Sequence, residues 1–112
     1  MKTGIIVAMD SEYEALRAAG VSGVVKSGIG KVNAARATTE LILKEKPDYI
    51  ISSGLAGGIS PVLKVGDFVI GNQTAYYDVW CGEGNQKGQV QGFPQRYCAD
   101  RTPDLRGAAR GG

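Results

Sequence analysis

The chain has 112 residues, of which 43% are hydrophobic and 21% charged, and its formal net charge is +2. This is the composition of one ordinary globular domain. The charge is too small and too scattered to favour a nucleic-acid partner, and no apolar run approaches the roughly 20 residues of a membrane span. Because no signal-peptide pattern opens the sequence, we expect a cytoplasmic protein.

The first elements alternate between strand and helix. Gly4–Met9 is a continuous apolar run, which is typical of a strand buried on both faces. The following residues predict a helix over Ser11–Ala19, with Glu12 in its positive first turn and Gly20 at its end. Val21–Lys26 then predicts a second, short strand.

The same alternation continues through the middle of the chain. Ser27–Gly30 predicts a turn, and Lys31–Glu45 predicts a helix with several apolar positions near one face, which Pro47 ends. Tyr49–Ser52 is again an apolar run of strand length, and Val65–Gly71 predicts a further strand. This order predicts an α/β fold with a central, mostly parallel or mixed sheet flanked by helices.

The remaining segments predict less regular structure. Cys81–Gly92 is polar and glycine-rich, which indicates a loop, and Arg101–Gly112 lacks an apolar period, which predicts disorder. The two cysteines, Cys81 and Cys98, are too far apart for a CxxC pair, and we expect both to be free thiols.

The absence of histidine limits the available chemistry. It excludes Ser-His-Asp and Cys-His catalysis and the HExxH zinc site. The Cys, Asp and Glu residues do not cluster, so we predict no metal site. The glycines form no standard nucleotide motif: Val25 stands where a Walker pattern needs its first glycine, and Asn33 where a GxGxxG pattern needs its last.

Three turns with unusual residues each follow a predicted strand. They are Met9–Glu12, Lys26–Lys31 and Ser53–Gly58. Ligands of open α/β sheets bind outside the carboxyl ends of the strands, and parallel neighbouring strands would bring these turns to one edge. The three glycines of Gly54–Gly58 allow a ligand to approach the backbone closely, although a sharp turn packed against a neighbouring strand has the same requirement.

Five fragments occur in the order in which one enzyme family carries them. They are Gly4–Met9 with Glu12, Lys26–Ala35, Lys46–Ile51, Gly54–Gly58 and Leu63–Asp67. Each fragment is weak alone, but from Lys26 to Asp67 they match without gaps. Over about residues 1–100 the chain resembles the N-terminal part of the methylthioadenosine/S-adenosylhomocysteine nucleosidases, which implies a nucleoside phosphorylase-like fold.

The resemblance implies roles for particular residues. Glu12 matches the carboxylate that binds and orients the attacking water, whereas the local pattern alone favours an ordinary carboxylate of a first helical turn. Ala56 and Gly57 match backbone positions that line the ribose and purine. Leu55 stands where a serine commonly helps to place the water, and Ile29 matches a residue that reaches the 5′ substituent in the partner subunit of a dimer.

The function implied by the resemblance is hydrolysis of the N-glycosidic bond of 5′-modified adenosines, such as methylthioadenosine and S-adenosylhomocysteine, with release of adenine. It implies no cofactor and places the protein in purine metabolism and methionine salvage. The expected partners are a nucleoside substrate and a second copy, with Ile29 and the loop near Phe93 and Pro94 at a homodimer interface. Phosphorylases share the fold but bind phosphate with arginines and often a histidine, so hydrolysis is favoured and phosphorolysis is the alternative.

Family members are longer than this chain. The resemblance implies that a strand pair before Lys26 and the half of the family fold after about Asp100 are absent, including the aspartate that protonates the departing base. We therefore expect residues 1–100 to form a partial nucleosidase domain and residues 101–112 to be a disordered or non-family tail. We also expect the isolated chain to be inactive, and at most a fragment that binds nucleosides weakly or assembles with another chain.

Overall fold

A computed structural model describes residues 1–91 and the backbone of residues 98–99. The chain divides into two units between Leu63 and Lys64. The predicted tail over residues 101–112 and the loop at Phe93 and Pro94 lie outside the described residues.

The first unit contains a three-stranded sheet and two helices. Its elements are β1 (Thr3–Val7), α1 (Asp10–Ala18), β2 (Val24–Lys26), α2 (Lys31–Glu45) and β3 (Tyr49–Ser52). The strand order is β2-β1-β3, and β1 pairs in parallel with both neighbours. Because the two crossovers run in opposite directions along the sheet, the right-handed rule puts one helix on each face. The predicted α/β sheet with flanking helices is confirmed.

Glycines set the limits of the segment between α1 and β2. Gly20 has φ 81, and its N–H donates to the carbonyl of Arg17 at 3.0 Å, which ends the helix in the manner that glycine favours. β2 begins at Val24 and not at the predicted Val21. Gly23 has φ 77, and this left-handed conformation interrupts the extended backbone that a strand requires.

The core of the first unit lies between α2 and β1. Ala37 and Leu41 of α2 are buried, as are Ile6 and Val7 of β1. A Cβ added at Gly4 would lie 2.6 Å from Cδ2 of Leu41, which is closer than a side chain can approach. Glycine at this position in β1 therefore lets the helix pack directly on the strand.

We expect Leu41→Ala to lower the free energy of unfolding by about 2–4 kcal/mol, because it leaves a cavity between α2 and β1. Denaturant unfolding of the chain, followed by circular dichroism, measures this loss. Leu43 is 73% exposed on the same helix, so Leu43→Ala is the matched control, with an expected change within about 0.5 kcal/mol. Equal losses for the two variants would contradict this description of the core.

The second unit contains a short antiparallel ladder of β4 (Gln73–Thr74) and β5 (Cys98–Ala99). Residues 75–91 form turns and irregular structure. Cys81 is an exposed free thiol, and the side chain of Cys98 lies outside the description. Among residues 1–91 and 98–99, no helix is long and apolar enough to cross a membrane, and no group of ligand side chains is placed to hold a metal ion.

The predicted strand over Val65–Gly71 is wrong, since these residues are exposed and irregular. A tight turn occupies their start. The N–H of Lys64 donates to Oδ2 of Asp67 at 2.8 Å, and the N–H of Asp67 donates back to the carbonyl of Lys64 at 3.0 Å. With Gly66 at φ 96, the backbone bends where the strand was expected to begin.

Candidate functional site

The carboxyl ends of the three parallel strands share one edge of the sheet, and β1 is central. The first residue of each turn, after β2 and after β3, is hydrogen-bonded to β1. The N–H of Ser27 donates to the carbonyl of Val7 at 2.8 Å, and the N–H of Ser53 donates to the carbonyl of Ile6 at 3.0 Å. Neighbouring strands lie about 5 Å apart. The end of β1, which leads into α1 and Glu12, therefore lies between the two turns, as predicted for a shared site.

Glu12 occupies the third position of α1 and is 8% exposed. Its Oε1 accepts hydrogen bonds from the N–H groups of Ala8 at 3.1 Å and Met9 at 3.2 Å. A glutamate at this position commonly reaches back to the residue that precedes the helix, because the first amides of a helix lack partners within it. One oxygen of Glu12 thus serves the structural role that the local pattern favoured.

The other oxygen of Glu12 contacts a distant part of the chain. Oε2 accepts a hydrogen bond of 2.7 Å from the N–H of Leu55, which lies 43 positions later in the loop after β3. Gly54 makes this approach possible, since a Cβ there would overlap Oε2 and lie 3.0 Å from Cδ of Glu12. The carboxylate therefore joins the start of α1 to the glycine-rich loop.

These hydrogen bonds also set the charge of the site. The N–H of Leu55 holds the pKa of Glu12 below its ordinary value of 4.5, with help from Ala8 and Met9 and against an opposing effect of desolvation. The group is therefore ionised at neutral pH. A carboxylate has about four acceptor positions, of which the three backbone donors occupy three. The remaining position, on Oε2, is able to accept a hydrogen bond from a water molecule.

The lowered pKa of Glu12 predicts a dependence of stability on acid. A group whose pKa is lower in the folded state stabilises the fold above the pKa of the unfolded state, and this contribution is lost as the pH falls through the folded value. We expect the difference in melting temperature between the chain and Glu12→Gln to be constant at pH 6–7. It should shrink as the pH falls below about 4.5. A difference that grows on acidification would contradict the inferred direction of the shift.

The other predicted site residues are exposed and lie in the turns at the same edge. Ile29, in the turn after β2, is 71% exposed, and the side chain of Leu55 is 80% exposed. Ala56 and Gly57 are exposed in the irregular loop after β3. The structure thus brings Glu12 to the backbone of Leu55, and the main-chain N–H of Leu55 makes the contact, whichever side chain this position carries.

Several contributors to this edge are not predicted by the sequence patterns. These patterns give Gly54 the same role as Gly57 and Gly58, whereas Gly54 is the one of the three that lies against the carboxylate of Glu12. The signal for the Met9 contact was available, because a glutamate three residues after a helix boundary is typical of a capping arrangement. Lys26 forms an ion pair with Asp10, and the hydrogen bond between them raises the pKa of Lys26. This pair connects β2 to the start of α1.

The model of the phosphorylase superfamily matches residues 17–111, and the chain belongs to this superfamily. It is 46% identical over 99 residues to the 5′-methylthioadenosine/S-adenosylhomocysteine nucleosidase of Geobacillus thermodenitrificans, which covers 87% of this chain and 42% of that protein. It is 49% identical over 78 residues to the nucleosidase of the same name from Bacillus subtilis, covering 69% of this chain and 34% of that protein.

A solved structure supports the same relationship. The crystal structure of 5′-methylthioadenosine/S-adenosylhomocysteine nucleosidase from Neisseria meningitidis, in complex with methylthio-immucillin-A, matches with a TM-score of 0.81 at 36% identity. The match covers 98% of this chain and 58% of that chain, which confirms the nucleoside phosphorylase-like fold. The chain spans less than half the length of the curated relatives described above.

Proposed function

We propose that the protein to which this chain contributes hydrolyses the N-glycosidic bond of 5′-modified adenosines and releases adenine. The observation that carries the proposal is the carboxylate of Glu12, which is ionised, nearly buried and fixed by three backbone N–H groups. The curated relatives are named for methylthioadenosine and S-adenosylhomocysteine. The structural relative binds a methylthio-substituted inhibitor. These names support the same substrate class for this protein.

In the proposed reaction a water molecule donates a hydrogen bond to Oε2 of Glu12 and attacks C1′ of the ribose. The carboxylate accepts a proton from this water as the new C–O bond forms. The bond from C1′ to the purine nitrogen breaks through an oxocarbenium-like transition state. The departing adenine takes up a proton from an acid that the resemblance places outside this chain. The Glu12 proton returns to solvent, and the acid regains one proton from solvent. No cofactor enters these steps.

In this proposal the three turns at the sheet edge hold the substrate. The exposed backbone of Ala56 and Gly57 lies beside Leu55, whose N–H orients the Glu12 carboxylate. The ribose and purine would lie against this segment, where glycine lets a ligand approach closely. Ile29, in the turn on the other side of β1, would contact the 5′ substituent of the nucleoside bound in the partner subunit of a dimer.

Phosphorolysis is the alternative reaction of this superfamily. The negative charge of Glu12 disfavours a phosphate ion as the nucleophile, whereas water requires no charge compensation. Two cations near this edge, Lys26 and Arg36, are already paired with Asp10 and Glu40. We expect the complete protein to release adenine from methylthioadenosine at the same rate with and without phosphate. A strict phosphate requirement would reassign it as a phosphorylase.

A second candidate concerns the 112-residue chain itself, which spans only part of its relatives. We propose that it binds nucleosides weakly without turning them over, because the resemblance places the acid that protonates adenine outside this chain. Calorimetry with adenine and methylthioadenosine tests binding, and chromatography of the reaction mixture tests turnover. Adenine production by the purified chain would refute this candidate.

We also propose a homodimer and a cytoplasmic location, with a place in purine metabolism and methionine salvage. Ile29 and Val32 are 71% and 84% exposed at the start of α2, and neighbouring exposed apolar side chains favour a protein partner. Sedimentation equilibrium well above micromolar concentration tests the assembly, and a strictly monomeric mass would count against it. Cell fractionation tests the location.

A further inference from the structure

Three consecutive carbonyl groups in the turn between β2 and α2 each accept a hydrogen bond from a side chain. The carbonyl of Ser27 accepts from Nη2 of Arg36 at 3.1 Å, and that of Ile29 from Nδ2 of Asn33 at 2.8 Å. Between them, the carbonyl of Gly28 accepts from the hydroxyl of Ser27 at 2.7 Å. Carbonyl groups of an exposed turn often bond to water. Here they accept from the side chains of Ser27, Asn33 and Arg36, and the last two belong to α2.

Arg36 is itself fixed at its other side. Its Nη1 lies 3.1 Å from both carboxylate oxygens of Glu40, one helical turn further along α2. The planar guanidinium group holds its donors in a rigid fork, so Glu40 orients the group while Nη2 contacts the carbonyl of Ser27. An exposed ion pair of this kind contributes little to stability. We therefore infer that the main effect of the Arg36–Glu40 pair is on the position of the turn.

Residues on both sides of Ile29 hold the turn in place. Ser27 is 5% exposed, so the turn starts from a buried residue, and Gly28 follows with φ 88, a conformation that glycine adopts readily. There is also little room for a larger residue, because a Cβ at Gly28 would lie 3.1 Å from Nδ2 of Asn33. After Ile29, its own carbonyl accepts from Asn33, while its side chain is 71% exposed.

We propose that Arg36 and Asn33 are positioning residues that fix the turn of residues 27–30, so that Ile29 presents its exposed side chain in one orientation to the 5′ substituent of a nucleoside bound in the partner subunit. The assignment of Ile29 to the 5′ substituent rests on the proposed function. A side chain ordered before binding costs less entropy when a ligand arrives. Arg36 and Asn33 thereby favour substrates with an apolar 5′ group without touching the substrate themselves.

The first test measures the turn in the 112-residue chain by backbone NMR. We expect Arg36→Ala and Asn33→Ala each to lower the heteronuclear NOE of Gly28, Ile29 and Gly30, and the double variant to lower it further. Thr39→Ala is the control, because its exposed hydroxyl donates to the carbonyl of Ala35 within α2 and not to the turn. Arg36→Lys keeps the charge but not the fork, and should restore part of the order. A turn as ordered in the double variant as in the parent chain would overturn the proposal.

The second test measures selectivity by titrating the same variants with adenosine and with methylthioadenosine. We expect the Arg36→Ala and Asn33→Ala changes to weaken methylthioadenosine binding by about 3- to 10-fold and to leave adenosine binding unchanged, because the two ligands differ only in the apolar 5′ group. A purely structural role would weaken both ligands equally and would overturn the substrate part of the inference. If the parent chain binds neither ligand, the proposed function fails for this chain, and the NMR result alone decides whether the turn is positioned.

Discussion

Glu12→Gln is expected to lower the rate of adenine release from methylthioadenosine by about 10²- to 10⁴-fold in the complete protein. Glutamine has nearly the same shape but cannot accept the proton of the attacking water. Oε1 of Glu12 accepts from the N–H groups of Ala8 and Met9, and Oε2 accepts from that of Leu55. Glutamine has a single side-chain carbonyl oxygen, so it cannot serve both sets of donors in the same way. Steady-state kinetics with chromatographic detection of adenine measures the loss, which should fall on kcat more than on KM.

The matched control for this substitution is Glu14→Gln. Glu14 is an exposed carboxylate on the same helix, two residues after Glu12, and its replacement removes the same charge. We expect its rate to stay within about 2-fold of the parent enzyme, since surface substitutions away from a site have small effects. Glu12 would lose its proposed role as general base if both variants retained full activity.

Gly54→Ala should also have a large effect, although it adds only one methyl group. The new Cβ would overlap Oε2 of Glu12, so either the carboxylate must leave the N–H of Leu55 or the loop must move. We expect a loss of about 1–3 kcal/mol in the free energy of unfolding. Activity in the complete protein should fall at least 10-fold, because a small displacement of a catalytic group is costly.

Gly57→Ala is the control for the stability of this variant, because a Cβ at Gly57 meets nothing within 4 Å. Its unfolding midpoint should match that of the parent chain, and a difference spectrum by NMR should show Glu12 and Leu55 unmoved. If Gly54→Ala is as stable as Gly57→Ala and its Leu55 amide signal is unshifted, the close approach of Glu12 to the loop does not exist in solution.

The same geometry shows why Glu12 could not be assigned from its neighbours alone. At the third position of a helix a glutamate normally bonds to the preceding backbone, and Oε1 does this with Met9. The functional interpretation came from the resemblance. In the structure the two oxygens of this carboxylate have separate donors. Oε1 bonds to the backbone at the start of the helix, as the local pattern favours, and Oε2 bonds to the N–H of Leu55.

Elements with strong local signals were predicted well. The limits of α2, Lys31–Glu45, and of β3, Tyr49–Ser52, agree with the structure, since periodic apolar residues, Pro47 and β-branched side chains act locally. The expected strand over Val65–Gly71 has similar apolar content but is irregular. A strand requires hydrogen-bonding partners elsewhere in the chain, and apolar composition does not specify them.

Local sequence patterns are sufficient to predict the alternation of strands and helices in the first unit. They also predict the gathering of three turns at one edge, because parallel strands joined by helices must bring their carboxyl ends together. Which atoms meet at that edge depends on the three-dimensional packing. The hydrogen bond from Leu55 to Glu12 spans 43 positions and depends on the register of β3 against β1, on the missing Cβ of Gly54 and on the packing of α1. Each of these conditions concerns residues that are far apart in the chain, and local sequence patterns carry no information about how such residues meet.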